Sequence, residues 1–180
     1  MFMTVIDATD KHSMPQRGKR FTRADKDGNG QIDVYELQDA LSNGINIPFN
    51  IKTVHMLLAM FDRDFSGRIE FHEFSDLYNY ITQWKQCFER FDTDRSGTID
   101  SRELHTALAT FGYRLSPSFI NRMISRFDRT HRGVIAFDDF IQALVCLQQL
   151  TKAFRPYDVQ GIGYATMNFE QFLAAAFTAI

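Results

Sequence analysis

The stretch DTDRSGTIDSRE, from Asp92 to Glu103, carries oxygen-bearing side chains at positions 1, 3, 5, 9 and 12 of its twelve residues. Gly97 stands at position 6, where the backbone must turn sharply, and Ile99 at position 8 offers an apolar residue for pairing with a second loop. Because Ca²⁺ prefers about 6 to 8 hard oxygen ligands, this spacing predicts a calcium-binding loop. The predicted ligands are Asp92, Asp94, Ser96, the backbone carbonyl of Thr98, Asp100 and Glu103.

The same pattern occurs twice more towards the N-terminus, as DKDGNGQIDVYE (25–36) and DRDFSGRIEFHE (62–73). Such loops join two helices in the EF-hand, and EF-hands pair through their loops, so one hand predicts another. We number these loops 1 and 2, and the loop at 92–103 is loop 3. The predicted ligands are Asp25, Asp27, Asn29, Gln31, Asp33 and Glu36 in loop 1, and Asp62, Asp64, Ser66, Arg68, Glu70 and Glu73 in loop 2, with Gln31 and Arg68 contributing backbone carbonyls.

Two further loops keep the outline of the motif without its ligands. Loop 4, DRTHRGVIAFDD (128–139), has Arg132 at position 5, and a guanidinium there argues against calcium. Loop 5 (158–169) has Phe169 at position 12, and its late acidic residue, Glu170, stands one place further on. We therefore expect two or three Ca²⁺ ions per chain, in loops 1 to 3, with Mg²⁺ as a competitor.

The segments between the loops alternate in length. The longer ones contain helix stop and start signals: Gly44 is expected to end one helix, and Asn50 and Ser116 to cap the next. The shorter ones, residues 74–91 and 140–157, leave room for a single helix each. That helix is expected to leave one hand and enter the next.

The predicted fold is all-α, with five EF-hands, eight or so helices and short paired strands in the loops. We expect one domain over residues 16–180 and disorder over residues 1–15. Hands 2 to 5 have apolar residues 1, 4 and 8 places before the loop, whereas hand 1 has Ala24, Phe21 and Arg17. Its first helix is therefore expected to be short and weakly anchored.

Composition excludes several classes of protein. The 180 residues are 44% hydrophobic and include 18 Phe, enough for a substantial core. Cys87 and Cys146 form no CxxC motif and are interpreted as reduced thiols of an intracellular protein, expected in the cytoplasm or also in the nucleus. The N-terminus lacks the apolar run of a signal peptide. Scattered histidines predict no enzyme, and the basic stretch at 17–23 is better explained by solvated helix charges than by nucleic-acid binding.

The charge pattern bears on membranes. Three Ca²⁺ ions would add six positive charges and change the formal net charge from −2 to +4. A calcium-loaded protein would then favour anionic surfaces, so calcium-dependent membrane association is one interpretation. Solvated helix faces are the simpler explanation of the Lys and Arg residues.

An odd number of hands leaves one without a partner. Hands 1 and 2 and hands 3 and 4 are expected to pair, so hand 5 retains an open edge next to the apolar C-terminal stretch FLAAAFTAI. The complementary surface is hand 5 of another chain. The sequence therefore predicts a two-fold dimer.

Five hands at these spacings, with the motifs MFDR, FGYRLS, FDRTHRGVIAFDDFIQ and LQQLTKAFRPYD, resemble the penta-EF-hand family and in particular its group I. The resemblance implies a homodimer, or a heterodimer with another chain of the family, formed through hand 5. It also implies a calcium-dependent adaptor for proline-rich segments of proteins of membrane trafficking and repair. A calpain-like protease subunit and a passive calcium buffer are the alternatives.

Aromatic residues near hands 3 and 4 suit a proline-rich ligand, since a polyproline II helix is ordered before it binds. Trp84, Phe111 and Tyr113 are the candidates for this surface. By resemblance, Trp84 and the Tyr113–Arg114 loop match the family's peptide pocket, with Arg114 as a gate. Ordinary core packing is the alternative for the aromatic stripe.

Overall fold

The computed structural model describes the backbone of residues 14–178 and the side chains of residues 18–178. Within this range the regular secondary structure is helical apart from two short strands, which confirms the predicted all-α class. Apart from its last two residues, the segment predicted to be disordered (1–15) lies outside the described residues. No described helix is both long and apolar enough to cross a membrane. The elements are α1 (Met14–Ala24), β1 (Gln31–Ile32), α2 (Val34–Ala40), α3 (Ile51–Phe61), β2 (Ile69–Glu70), α4 (Phe71–Phe91), α5 (Ser101–Thr110), α6 (Pro117–Phe127), α7 (Phe137–Phe154) and α8 (Phe169–Thr178).

The two helices expected to serve two hands each are present. Helix α4 runs without a break from loop 2 to loop 3. Helix α7 follows loop 4 but ends at Phe154, three residues before the predicted end at position 157. Pro156 explains the early end, because proline lacks an N–H donor and disfavours helical geometry in the residue before it.

The predicted N-caps are confirmed and one predicted helix end is wrong. The side chain of Asn50 accepts a hydrogen bond from the N–H of Lys52, and Ser116 caps α6 with proline at the first helical position. Helix α2, however, ends at Ala40 rather than near Gly44, and Leu41 is already extended. Three residues of the non-helical segment 41–50 that follows, Asn43, Phe49 and Asn50, are buried, so this segment is part of the core.

Helix α1 differs from its prediction. It has eleven residues, as many as α3 and α6, so the expectation of a short first helix was wrong. From Gly18 onwards its buried residues are Phe21 and Ala24. The ring of Phe21 packs edge-on against Phe71 and Phe74, with ring centroids 5.4 and 5.5 Å apart, which anchors the helix to α4.

The loops of the first four hands pair as expected. Strands β1 and β2 are antiparallel, and Ile32 lies opposite Ile69. Loops 3 and 4 are joined by a bridge in which Ile99 and Ile135 exchange two backbone hydrogen bonds of 2.8 and 3.0 Å. All four isoleucines are almost fully buried, so each bridge is also part of the core.

The described residues form two compact units, with the boundary after Phe140. In the first unit, Phe88 packs edge-on against both Phe137 and Phe140, and Phe49 packs against Phe137. These contacts join the helices of hands 3 and 4 to the linker that follows hand 1.

The second unit begins at Ile141 and contains hand 5. Its last helix, α8, has no buried residue among those described. The apolar residues 1, 4 and 8 places before loop 5 are half-buried or exposed, in contrast to the largely buried ones of hands 2 to 4. The exposed large apolar side chains of this unit are Leu150, Val159, Ile162, Tyr164, Phe169, Phe172 and Phe177.

Candidate calcium-binding sites

The acidic residue at position 12 closes each of loops 1 to 3 in the same way. In loop 3, Oε1 of Glu103 accepts the N–H of Thr93 at 2.8 Å, and Oε2 accepts the N–H of Asp100 at 3.1 Å. Glu36 and Glu73 accept the equivalent pairs of N–H groups in loops 1 and 2. These three carboxylates are buried and face into their loops.

The aspartate at position 1 organises the turn of every loop. Its carboxylate accepts the N–H of the glycine at position 6, at 2.7 to 3.0 Å, in all five loops. These glycines have φ between +75° and +82°, a conformation that side chains with a Cβ rarely adopt. The turn is therefore common to all five loops, and it does not distinguish loops predicted to bind calcium from the others.

Three groups of carboxylates converge. In each group, the acids at positions 1, 3 and 12 offer oxygens that all lie within 4.8 Å of one another. Two oxygens on opposite sides of a Ca²⁺ ion are about 4.6 to 5.2 Å apart, so the separations fit a shared ion. The groups are Asp25, Asp27 and Glu36; Asp62, Asp64 and Glu73; and Asp92, Asp94 and Glu103.

The residues at positions 5 and 7 also come together in two loops. The hydroxyl of Ser66 donates to the carbonyl of Arg68 at 3.2 Å, and Ser96 donates to the carbonyl of Thr98 at 3.1 Å. In loop 1, Asn29 instead donates to Asp27 through its amide.

Position 9 has a second role that the sequence did not indicate. One carboxylate oxygen of Asp33 accepts the N–H groups of Tyr35 and Glu36, and Asp100 does the same at the start of α5. Each residue therefore caps its helix, and with the glutamate at position 12 it forms a capping box. At these two positions the second carboxylate oxygen takes no part in the cap.

The loops favour the ionised form of their central acids. The hydroxyl and the backbone N–H of Ser96 hold the pKa of Asp94 below its ordinary value, and Ser66 does the same for Asp64. Ionised carboxylates this close together repel one another. A divalent cation removes that repulsion, so the arrangement is suited to binding one.

Hand 4 contains a guanidinium, but it is not the one predicted. Arg132, the residue whose guanidinium was expected to oppose calcium, is exposed. Instead Arg129, at position 2, donates from Nε to both oxygens of Asp139 at 3.0 Å and from a terminal nitrogen to Asp138. Because Asp139 is the residue at position 12, the arginine supplies a cation next to the residue that corresponds to the closing carboxylates of loops 1 to 3.

The acids of hand 4 also hold the linker between hands 1 and 2. Asn43 and the backbone N–H of Asn50 donate to Asp138, and the amide of Asn50 donates to Asp139 at 2.7 Å. Both acids are at most 2% exposed. Burial raises the pKa of Asp139, and the charge of Asp138 adds to the effect, while Asn50 and Arg129 oppose it. Among the described residues, Oδ1 of Asp138 has no hydrogen-bond partner.

Hand 5 closes in a register different from the predicted one. Its capping box joins Asn168 to Gln171, through bonds of 2.9 Å in each direction, and not residues 9 and 12 of a twelve-residue loop. Gln171 therefore stands where the other hands have their closing acid, two places beyond Phe169. An amide has no negative charge, and Glu170 is exposed, so this loop lacks the closing carboxylate.

The candidate peptide-binding residues lie in two aromatic contacts. The half-buried ring of Trp84 packs edge-on against Tyr80 and Phe140, with centroids 6.0 Å apart in both cases. Phe111 packs against Phe91 at 5.5 Å. In the turn after α5, Tyr113 is half-buried, and its N–H donates to the carbonyl of Leu108; Arg114 is exposed.

The chain is similar to known EF-hand proteins. A family model described as an EF-hand domain pair matches residues 18–79 and 81–145. Sorcin of Schistosoma japonicum is 54% identical over 160 residues, which cover 89% of this chain and 93% of that protein. Peflin of Danio rerio is 41% identical over 167 residues, covering 92% of this chain and 62% of the peflin. A solved structure, of a homolog of programmed cell death 6 protein from Leishmania major Friedlin, has a TM-score of 0.81 at 33% identity and covers 91% of this chain and 94% of that one.

Helix–loop–helix units with converging acids define an EF-hand protein that binds calcium. The sorcin and peflin matches, together with the structural match, then identify the family. The chain belongs to the penta-EF-hand family. The resemblance inferred from the sequence is confirmed.

The role of Arg129 is tested by Arg129→Met, which keeps much of the side-chain volume and removes the charge. We expect a loss of about 3 kcal/mol in unfolding free energy at pH 7, because two buried acids lose their cation. A carboxyl group whose pKa is raised on folding stabilises the fold while protonated, and this contribution disappears as the pH rises through the folded pKa. The loss should therefore be smaller at pH 4.5 than at pH 7.

Urea unfolding without calcium, at both pH values, measures the difference. Arg132→Met is the matched control, since Arg132 is exposed in the same loop, and its effect should stay within about 0.5 kcal/mol. An equal effect of the two substitutions, or an effect of Arg129→Met that does not depend on pH, would contradict the assignment.

Proposed function

We propose that the protein is a calcium sensor that binds three ions, in loops 1, 2 and 3. The observation that carries this proposal is the convergence of the acids at positions 1, 3 and 12 in these three loops. The backbone carbonyls of Gln31, Arg68 and Thr98, and the side chains at position 5, complete each ligand set. Loops 4 and 5 are proposed to bind none, because Arg129 neutralises one closing residue and Gln171 is uncharged.

We further propose that the calcium-loaded protein binds proline-rich segments of partner proteins, as an adaptor in membrane trafficking or repair. Trp84, Phe111, Tyr113 and Arg114 are the proposed contact residues. Two observations support this proposal. Half-buried aromatic rings lie in or next to the helices that flank loop 3, and Arg114, in the turn after α5, is exposed. Closing loop 3 moves α5, and the turn that carries Tyr113 moves with it.

Hand 5 is proposed to pair with hand 5 of a second penta-EF-hand chain, as a homodimer or a heterodimer. Exposed Phe169, Phe172 and Phe177 support this proposal, since α8 buries none of its described residues. Between α8 and the end of α7 runs a groove lined in part by Lys152, Ala153, Tyr157, Ala174 and Ala175. Such a surface is costly to leave in water.

An intracellular location, cytoplasmic or nuclear, is part of the proposal and fits the free thiols of Cys87 and Cys146. Calcium-dependent association with anionic membranes is proposed from the gain of positive charge on loading. We propose no enzymatic activity. A calcium buffer is the second candidate function, and it is distinguished by the absence of new apolar surface on binding.

The number of ions is measured by isothermal titration calorimetry. We expect three Ca²⁺ ions per chain, and one fewer in each of Glu36→Gln, Glu73→Gln and Glu103→Gln, because the closing carboxylate is lost. Glu89→Gln, in α4 outside the loops, is the control. Fewer than three ions in the unmodified chain would contradict the proposal, and repeating the titration in Mg²⁺ measures the competition.

Peptide binding is followed by the fluorescence of Trp84, the single tryptophan of the chain. A synthetic proline-rich peptide should change the emission in calcium and not in EGTA. Tyr113→Ala and Arg114→Ala should weaken peptide binding at least threefold without changing the number of ions bound. Calcium uptake with no peptide response and no binding of an apolar dye would favour the buffer.

Dimerisation is measured by sedimentation velocity at micromolar concentration. The chain should sediment as a dimer, and Phe172→Asp should shift it to a monomer by placing a charge on the apolar face of α8. Phe65→Asp is the control, because Phe65 is 91% exposed in hand 2, far along the chain from hand 5. An unmodified chain that is monomeric both with and without calcium would refute this proposal.

A further inference from the structure

The residue at position 2 of each loop differs in what its side chain contacts. Its backbone N–H donates to Oε1 of the closing glutamate in loops 1, 2 and 3, at 2.8 Å in each case. The side chains of Lys26 and Arg63 turn outwards and pair with Asp39 and Asp76 on the following helices, at 2.5 and 2.6 Å. These two cations leave the closing glutamates of loops 1 and 2 without a side-chain donor from position 2.

Loop 3 is different because position 2 is a threonine. The hydroxyl of Thr93 donates to Oε1 of Glu103 at 2.8 Å, so one residue holds the carboxylate through both its backbone and its side chain. Hydrogen bonds to a charged acceptor are stronger than those between neutral groups. The hydroxyl therefore restricts Glu103 to the orientation that faces Asp92 and Asp94.

In hand 4 the side chain at position 2 also contacts the closing acid, but it carries a positive charge. Position 2 is Arg129, whose side chain reaches back to the closing residue Asp139 instead of turning outwards. Among hands 1 to 4, the side chain at position 2 thus leaves the closing acid alone, orients it with a neutral hydroxyl, or neutralises it with a guanidinium. Only the hydroxyl adds order without cancelling the charge that an ion needs.

We propose that Thr93 is a positioning residue that raises the calcium affinity of loop 3 by holding Glu103 in its ligating orientation before the ion arrives. This inference rests on the proposed function of loop 3 as a calcium site. The Glu103 side chain then loses part of its conformational entropy already in the ion-free protein. Less entropy is lost when calcium binds, and binding is stronger. The hydroxyl oxygen of Thr93 is not itself proposed as a calcium ligand. Its effect is to orient the carboxylate of Glu103.

The test uses the full chain carrying Glu36→Gln and Glu73→Gln, so that loop 3 is the calcium site being titrated. In this background Thr93→Val removes the donor at nearly constant volume, and we expect calcium to bind about threefold to tenfold more weakly. Thr93→Ser keeps the donor and should stay within about twofold of the parent. Thr106→Val is the matched control, because its exposed hydroxyl bonds only within α5, to the carbonyl of Arg102.

Two readouts are needed: the dissociation constant from calorimetry and the rate of calcium release into a fluorescent chelator. We expect the release rate of Thr93→Val to rise, because an unrestrained Glu103 leaves the ion more often, while circular dichroism confirms that the variants are folded. Equal affinity and release rate for Thr93→Val and the parent would overturn the inference and leave loop 3 as a calcium site. A parent that takes up no calcium would overturn the proposed function itself.

Discussion

One interaction, the carboxylate of position 12 held by N–H donors from both ends of its loop, supports the architecture of hands 1 to 3. Glu36, Glu73 and Glu103 each accept an N–H from position 2 and another from position 9. A single buried side chain thereby joins the end of one helix to the start of the next. Backbone pairing then joins loop 1 to loop 2 and loop 3 to loop 4.

Hands 4 and 5 keep this closure with different chemistry. In hand 4 the closing acid is matched by an arginine of the same loop, and in hand 5 an amide takes the place of the acid in a longer loop. In hand 5 the pairing of Asn168 with Gln171 caps α8, and in hand 4 the arginine balances the charge of the closing acid; neither arrangement needs an ion. A loop can therefore retain the EF-hand geometry after it has lost the charge pattern that attracts calcium.

Much of this structure follows from local rules that a sequence displays. The spacing of the loop acids and the caps at Asn50 and Ser116 are set by residues within a few places of one another. The paired isoleucines come from distant loops, but each stands at position 8 of its loop, so this pairing was predicted as well. The role of Arg129 was missed because a long side chain reaches nine and ten residues ahead, whereas the sequence assigned each residue to its own loop position. Gln171 was missed because a fixed twelve-residue register hides an extension of the loop, although the capping pair of Asn168 and Gln171 is a signal that marks it.

The arginine of hand 4 has a consequence for the protein as calcium levels fall. Ions bound in loops 1 to 3 would exchange with solution, but a guanidinium is covalently part of the chain, and its local concentration is constant. Asn43 and Asn50 are bonded to the acids that this guanidinium balances, so the contacts between the start of α3 and loop 4 need no bound ion. Loops 1 to 3 are therefore attached to a part of the fold whose contacts need no ion. A movement of these loops on calcium binding can then reach the protein surface without unfolding that part.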